Sequence, residues 1–222
     1  MNPIRASYLF VRDVIMARGG LQPRGVYQWS KNGGEFPTLP GALAVPNIVG
    51  YYLPVLRGYW EGYGLGARSL LVSESMKVAK AMHNYYPQTE FTACDLFSEL
   101  MGSEDGDRPH FVWDVCTDPP QELKSGSYDS VICQALLEHV IAPTTALKNM
   151  ALLLNANGRL YFQTHTPSYH KHSVPRDYVR FQHDYFEDLP GYLLSEYGVK
   201  IELVELHSTK GFICGVLKRT RE

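Results

Sequence analysis

Short apolar runs alternate with helix-period segments from residue 69 to residue 197, and two more apolar runs follow close together. Ser69–Ser73, Glu90–Leu96, Pro109–Val115, Tyr128–Gln134 and Arg159–Thr164 read as five buried strands. Met76–Tyr86 has helical spacing and stops before Pro87. Thr144–Leu154 is helical and closes on Asn157-Gly158, a glycine cap. Tyr185–Tyr197 is helical and ends at Gly198. Strands that alternate with helices imply crossovers and a mostly parallel sheet. Val199–His207 and Gly211–Lys218 stand at hairpin spacing, which puts one antiparallel strand into that sheet. The expected fold class is therefore α/β, a doubly wound, seven-stranded mixed sheet.

The N-terminal part has a different texture. Residues 4–17 carry apolar positions at mixed helical spacing and end at Arg18-Gly19-Gly20. Residues 19–66 are rich in Gly, Pro and aromatics, among them Tyr27, Trp29, Phe36, Tyr51, Tyr52, Tyr59, Trp60 and Tyr63. They read as a loop-rich cap, or as a lid over a pocket. The expected organisation is an N-terminal helix and cap over residues 1–66, then one domain over 67–222.

Composition narrows the function classes. The chain of 222 residues is 45% hydrophobic and 20% charged, a globular balance. The net charge is −2 and no long basic run occurs; Lys218-Arg219-Thr220-Arg221 is the closest. A nucleic-acid partner is not expected, because such proteins present a basic face. No apolar stretch approaches the roughly 18–20 residues of a membrane span, and no signal peptide is visible. Cys94, Cys116, Cys133 and Cys214 form no C-x-x-C pair and lie in apolar runs, as buried, reduced cysteines do. A cytoplasmic protein is expected.

The most informative stretch is 128–164. Tyr128-Asp129, Leu137-Glu138-His139-Val140 and Asn157-Gly158-Arg159-Leu160 occur in the order and spacing of the small-molecule class I S-adenosylmethionine-dependent methyltransferases, which this segment resembles. Asp177-Tyr178-Val179-Arg180-Phe181 also looks like that family, and the resemblance covers about residues 66–218. It implies a Rossmann-like methyltransferase fold, S-adenosylmethionine as cofactor and a small-molecule acceptor. It also implies a cofactor crevice beyond the carboxyl ends of the strands, where open α/β sheets bind ligands. Asp95, followed by Leu96, would receive the ribose hydroxyls through charge-assisted bonds. Asp114 would meet the adenine amino group, flanked by Val115. Gln134 and Ala135 would pass beneath the methionine part.

The pattern breaks after the first strand. The family carries a glycine-rich turn there, which lets backbone approach the cofactor. This chain has Ser73-Glu74-Ser75 and no glycine. Ser73 and Glu74 are the expected contacts, with Glu74 opposite the methionine ammonium. Either the cofactor is held by a rearranged loop, or the domain is a catalytically inactive binding or regulatory module. For proton removal His165 is the first candidate, His170 the second and His139 the third, since histidine suits general-base work near neutral pH. Glu138-His139 lacks the remaining ligands of a metal-binding Glu-x-x-Glu-His motif, and the histidines after strand five are read as a metal site no further. No metal is expected.

Overall fold

The computed structural model describes residues 54–96, 109–171, 176–208 and 211–220. The expected helix over 4–17, the aromatics Tyr27 to Tyr52 and His172 lie outside them. The described elements run α1 (Pro54–Tyr63), β1 (Arg68–Val72), α2 (Met76–Tyr85), β2 (Glu90–Asp95), β3 (Phe111–Val112), β4 (Tyr128–Gln134), a 3₁₀ turn (Leu137–His139), α3 (Pro143–Leu153), β5 (Leu154–His165), α4 (His183–Tyr197), β6 (Ile201–Ser208) and β7 (Phe212–Arg219).

The sheet has seven strands in the order β3-β2-β1-β4-β5-β7-β6. The first five are parallel neighbours, and β7 is antiparallel to both β5 and β6. Both topological expectations hold. Side chains alternate between two cores, as the period of two requires. Leu70, Val72, Val131, Cys133, Leu160 and Phe162 face α3 and α4, together with Ala146, Met150, Phe186 and Leu193. Leu71, Ala93, Ile132, Tyr161 and Val216 face α1 and α2, where Leu56, Trp60, Ala79 and Met82 pack against them. Helices thus cover both faces, and α1 is one of them.

Three elements depart from the expected boundaries. The third strand was expected over Pro109–Val115 but pairs only at Phe111 and Val112. The chain turns at Asp114, whose carboxylate accepts from Cys116 N while its carbonyl accepts from Thr117 N. Cys116 therefore sits in a turn, half-buried, and not in a strand. The Asn157-Gly158 pair does not cap a helix. α3 ends at Leu153, and Leu154 already pairs with Tyr128, with a bulge before Arg159 pairs with Ser130. Asn157 has φ 71°, and a Cβ on Gly158 would lie 3.0 Å from Tyr128 O, so the glycine allows a close approach inside β5. Gly198, by contrast, caps α4 in the left-handed conformation as expected.

Asp129 of the Tyr-Asp pair holds the amino edge of the sheet. Its Oδ2 accepts from Ala67 N at 2.8 Å and Arg68 N at 2.9 Å, and its Oδ1 accepts from Asn155 Nδ2. One carboxylate therefore ties the entry of β1 to the bulge of β5. Gly66 has φ 75°, and a Cβ there would fall 2.2 Å from Asp129 Cβ, so only glycine lets the chain pass. Asp129→Ala should lower unfolding free energy by about 2 kcal/mol, from loss of hydrogen bonds to a charged group. Urea denaturation followed by circular dichroism measures it, with no change in the folded spectrum.

Candidate active site

The carboxyl ends of β1, β2 and β4 meet in the middle of the sheet, where crossovers depart to opposite sides. Ser73 follows β1 with φ 64° and Ala135 follows β4 with φ 48°. Positive φ in non-glycine residues is costly and is retained where surrounding structure imposes it, often at functional sites. Ser73 holds a conformation that a glycine would take more easily, so the glycine-free loop still makes the turn.

The loop is short and turned inward. Ser73 N and Glu74 N both donate to Cys94 O, at 2.6 and 3.1 Å. Ser75 is the N-cap of α2, its hydroxyl accepting from Val78 N at 3.4 Å. Ser73 Oγ donates to Asp95 Oδ2 at 3.4 Å, joining the ends of β1 and β2. Glu74 and Asp95 are both buried, at 4% and 7% exposure. Leu96 beside them is 53% exposed.

The other expected cofactor residues are placed unequally. Asp114 is exposed and engaged in its turn. Val115 is buried in the core under α3, and Asn149 Nδ2 donates to its carbonyl at 2.9 Å. Gln134 and Ala135 are half-buried, and Ala135 N donates to Gln163 O at 3.0 Å. The structure therefore gathers Ser73, Glu74, Asp95 and Leu96 most closely.

A second cluster lies at the carboxyl end of β5. Glu138 is fully buried. Its carboxylate accepts from Thr164 Oγ1 at 2.7 Å, and His165 Nδ1 lies 2.5 Å from Oε1. His139 Nε2 is 3.8 Å from the same oxygen, and His139 Nδ1 is 3.9 Å from Asp177 Oδ1. Asp177 pairs with Arg180 through both guanidinium nitrogens. The Glu138 carbonyl accepts from Tyr178 N and Val179 N, which fastens the Asp177–Phe181 segment over the 3₁₀ turn. His165 stacks on Tyr169 at 3.9 Å, and Tyr169 on His170 at 4.4 Å. His139 and His165 thus share one buried carboxylate, while His170 is exposed, one ring further out.

Burial pushes the Glu138 carboxyl upward, but the hydrogen bond and charge of His165, the charge of His139 and the Thr164 hydroxyl outweigh it. The net direction is down. The sequence marked Glu138 only as part of Leu-Glu-His-Val. Its pairing with a histidine 27 residues later depends on β4 and β5 being parallel neighbours. The Asp177–Arg180 pair was visible only as a family-like segment.

An α/β sheet in this order, with an antiparallel β7, is the architecture of the class I S-adenosylmethionine-dependent methyltransferases. A family model described as a methyltransferase domain matches residues 53–199, and the chain belongs to that family. The highly reducing polyketide synthase gloL of Glarea lozoyensis is 28% identical over 155 residues, which cover 66% of this chain and 6% of that protein. The chain thus spans a small fraction of that curated relative's length. A Burkholderia thailandensis 1,6-didemethyltoxoflavin-N1-methyltransferase, solved with its substrate and S-adenosylhomocysteine, aligns with TM-score 0.54 at 12% identity, covering 100% of this chain and 92% of that one. A SAM-dependent methyltransferase from Archaeoglobus fulgidus aligns with TM-score 0.52 at 13% identity, covering 74% and 91%. At these identities the likeness is one of fold.

The lowered Glu138 value has a consequence for stability. The carboxylate's contribution is fully present above the ordinary glutamate value of 4.5 and is lost as pH falls through the lowered folded value. Thermal unfolding between pH 3 and 6 should show a Glu138-dependent loss of stability on the acid side. Glu138→Gln should be less stable at pH 6 and flatter below pH 4.5.

Proposed function

We propose that the protein transfers the methyl group of S-adenosylmethionine to a small-molecule acceptor. The observation that carries this reading is the buried Asp95 carboxylate at the end of β2, beside Ser73, which is held in left-handed backbone. A carboxylate in that place suits two ribose hydroxyls, and exposed Leu96 offers an apolar surface for the base. The donor set fits the adenosine half of the cofactor. Ser73, Glu74, Gln134 and Ala135 would border the remainder, and Asp114 and Val115 the adenine side. When bound, the cofactor supplies an electrophilic methyl group on a sulfonium. The protein's own part is to place the acceptor in line with it, from which much of the rate arises.

Where the acceptor must lose a proton, His165 is the proposed base. An ionised Glu138 can only accept, so Nδ1 of His165 bears the hydrogen and Nε2 bears the lone pair. Glu138 orients the ring and balances the charge that a captured proton would leave. His139, tied to Arg176 O and close to Asp177, is assigned an orienting role, and His170 a wall beside Tyr169. In this reading residues 1–66 form the N-terminal extension of a 67–222 domain and supply α1 to its sheet. A cytoplasmic setting accords with cysteines that are free among the described residues. Among those residues no helix is long and apolar enough to cross a membrane.

Calorimetric titration with S-adenosylhomocysteine tests the cofactor assignment. Saturable binding is expected, and Asp95→Ala should weaken it by about 1.5–3 kcal/mol in a folded variant. Undetectable binding at millimolar ligand would favour the inactive-module reading, which the glycine-free Ser73 turn otherwise motivates. His165→Gln should leave that affinity unchanged and lower transfer from methyl-labelled cofactor into a panel of phenols and enols by about 10²–10⁴-fold.

A further inference from the structure

The apolar face of α3 carries a buried amide. Ala146, Leu147, Met150 and Leu153 are buried there, and Asn149 among them is 1% exposed. Asparagine is a poor residue for a helix interior, and burying its amide is costly unless the polar atoms are paired. Both hydrogens of its Nδ2 are engaged: Val115 O accepts at 2.9 Å and Thr117 O at 2.7 Å. Its Oδ1 is buried without a hydrogen-bond partner. A leucine there would strand no acceptor, so what the amide adds is its hold on those two carbonyls.

Those carbonyls belong to the turn that bears Asp114. Thr117 N and Thr117 Oγ1 both donate to Asp114 O, and Cys116 N donates to Asp114 Oδ1 at 2.9 Å. Trp113 Nε1 donates to Thr117 O at 3.2 Å. The turn is thus closed on itself by residues 114 and 117, and Asn149 fastens it to a helix. Asp114 is exposed, and its Oδ1 is engaged inside the turn. The geometry of the turn therefore sets the direction of Oδ2.

We infer that Asn149 is a positioning residue for base selection: through the carbonyls of Val115 and Thr117 it aims the Asp114 carboxylate, and so sets a preference for a 6-amino over a 6-oxo purine. The inference rests on the reading above that Asp114 lies on the adenine side of the cofactor. A carboxylate accepts a hydrogen bond from an exocyclic amino group and repels the oxygen that replaces it in hypoxanthine. Such a mismatch discriminates strongly when the polar group is held in place by its supporting residues. A carboxylate free to swing into water would lose most of the preference. Asn149 supplies that support from the buried side of the turn, without touching the ligand.

Titration of the full chain with S-adenosylhomocysteine and with S-inosylhomocysteine, its 6-oxo counterpart, tests this. The unaltered chain should prefer the 6-amino ligand by about 10–100-fold, the worth of a hydrogen bond to a charged group. Asn149→Ala should bring the two affinities within about threefold of each other, and Asn149→Ser, a milder change that keeps one donor, should fall between. Partial unfolding weakens both ligands alike, so the ratio reports on the site and not on stability. Asp114→Asn should also remove the preference, and adding Asn149→Ala to it should change the ratio no further. An unchanged ratio in the Asn149 variants, whatever their melting temperature, would make Asn149 structural only and overturn the inference while the cofactor reading stands. No preference in the unaltered chain would overturn it together with the placing of adenine at Asp114. Absence of binding by both ligands would overturn the cofactor reading as well.

Discussion

The parallel pairing of β1 between β2 and β4 is the constraint on which the rest depends. Because the register runs in one direction through β3, β2, β1, β4 and β5, every carboxyl end falls on one edge. Asp95, Ser73, Ala135 and His165 are spread over 93 residues of sequence, from 73 to 165, and share one edge only because each ends or directly follows one of the parallel strands β2, β1, β4 and β5. The opposite edge is left to fasten the sheet. There Asp129 receives the amides that open β1, and Ser130 Oγ donates to Leu65 O and lies 2.9 Å from Ser69 Oγ. The proposed site and the anchorage thus lie at opposite ends of the same strands.

The buried polar groups at the carboxyl edge form a chain in which carboxylates alternate with nitrogen-bearing side chains. Glu138, the two imidazoles, Asp177 and Arg180 succeed one another, the carboxylates at Glu138 and Asp177 separated by the rings and the last of them paired with the guanidinium. Removing any one charged member would strand its neighbour, which costs more than the pair contributes. The 138–140 turn and the 176–181 segment are therefore fixed relative to each other by backbone and charge together. A histidine ring held by such a frame keeps its tautomer without help from a ligand.

Much of this was legible in the sequence, for identifiable reasons. Strand positions followed from apolar runs, and the antiparallel strand from hairpin spacing. The methyltransferase family followed from residues 128–164, which contain β4, α3 and β5 almost entire. Boundaries failed where a local side chain overrode pattern: Asp114 ended β3 with a turn, and Gly158 served a bulge instead of a helix cap. The glycine-free turn leaves a rearranged loop and an inactive module both open in the sequence, and the structure adds that Ser73 adopts the left-handed backbone without a glycine. Composition cannot reveal such a conformation, because it is imposed by the bonds to Cys94. The pairing of Glu138 with His165 was likewise hidden, since it requires knowing which strands are adjacent.

β5 runs from Leu154 to His165 without interruption in its ladder to β7 beyond Arg159. At roughly 3.3 Å per residue its ends are on the order of 35 Å apart. That is several times the roughly 8 Å over which charges act at physiological salt. Exposed charges at the amino edge, such as Glu90, therefore act only weakly on the histidine at the other end. Surface charge there can drift through evolution, or be changed for solubility, without retuning the chemistry. The length of one strand makes the two ends of the molecule separately adjustable.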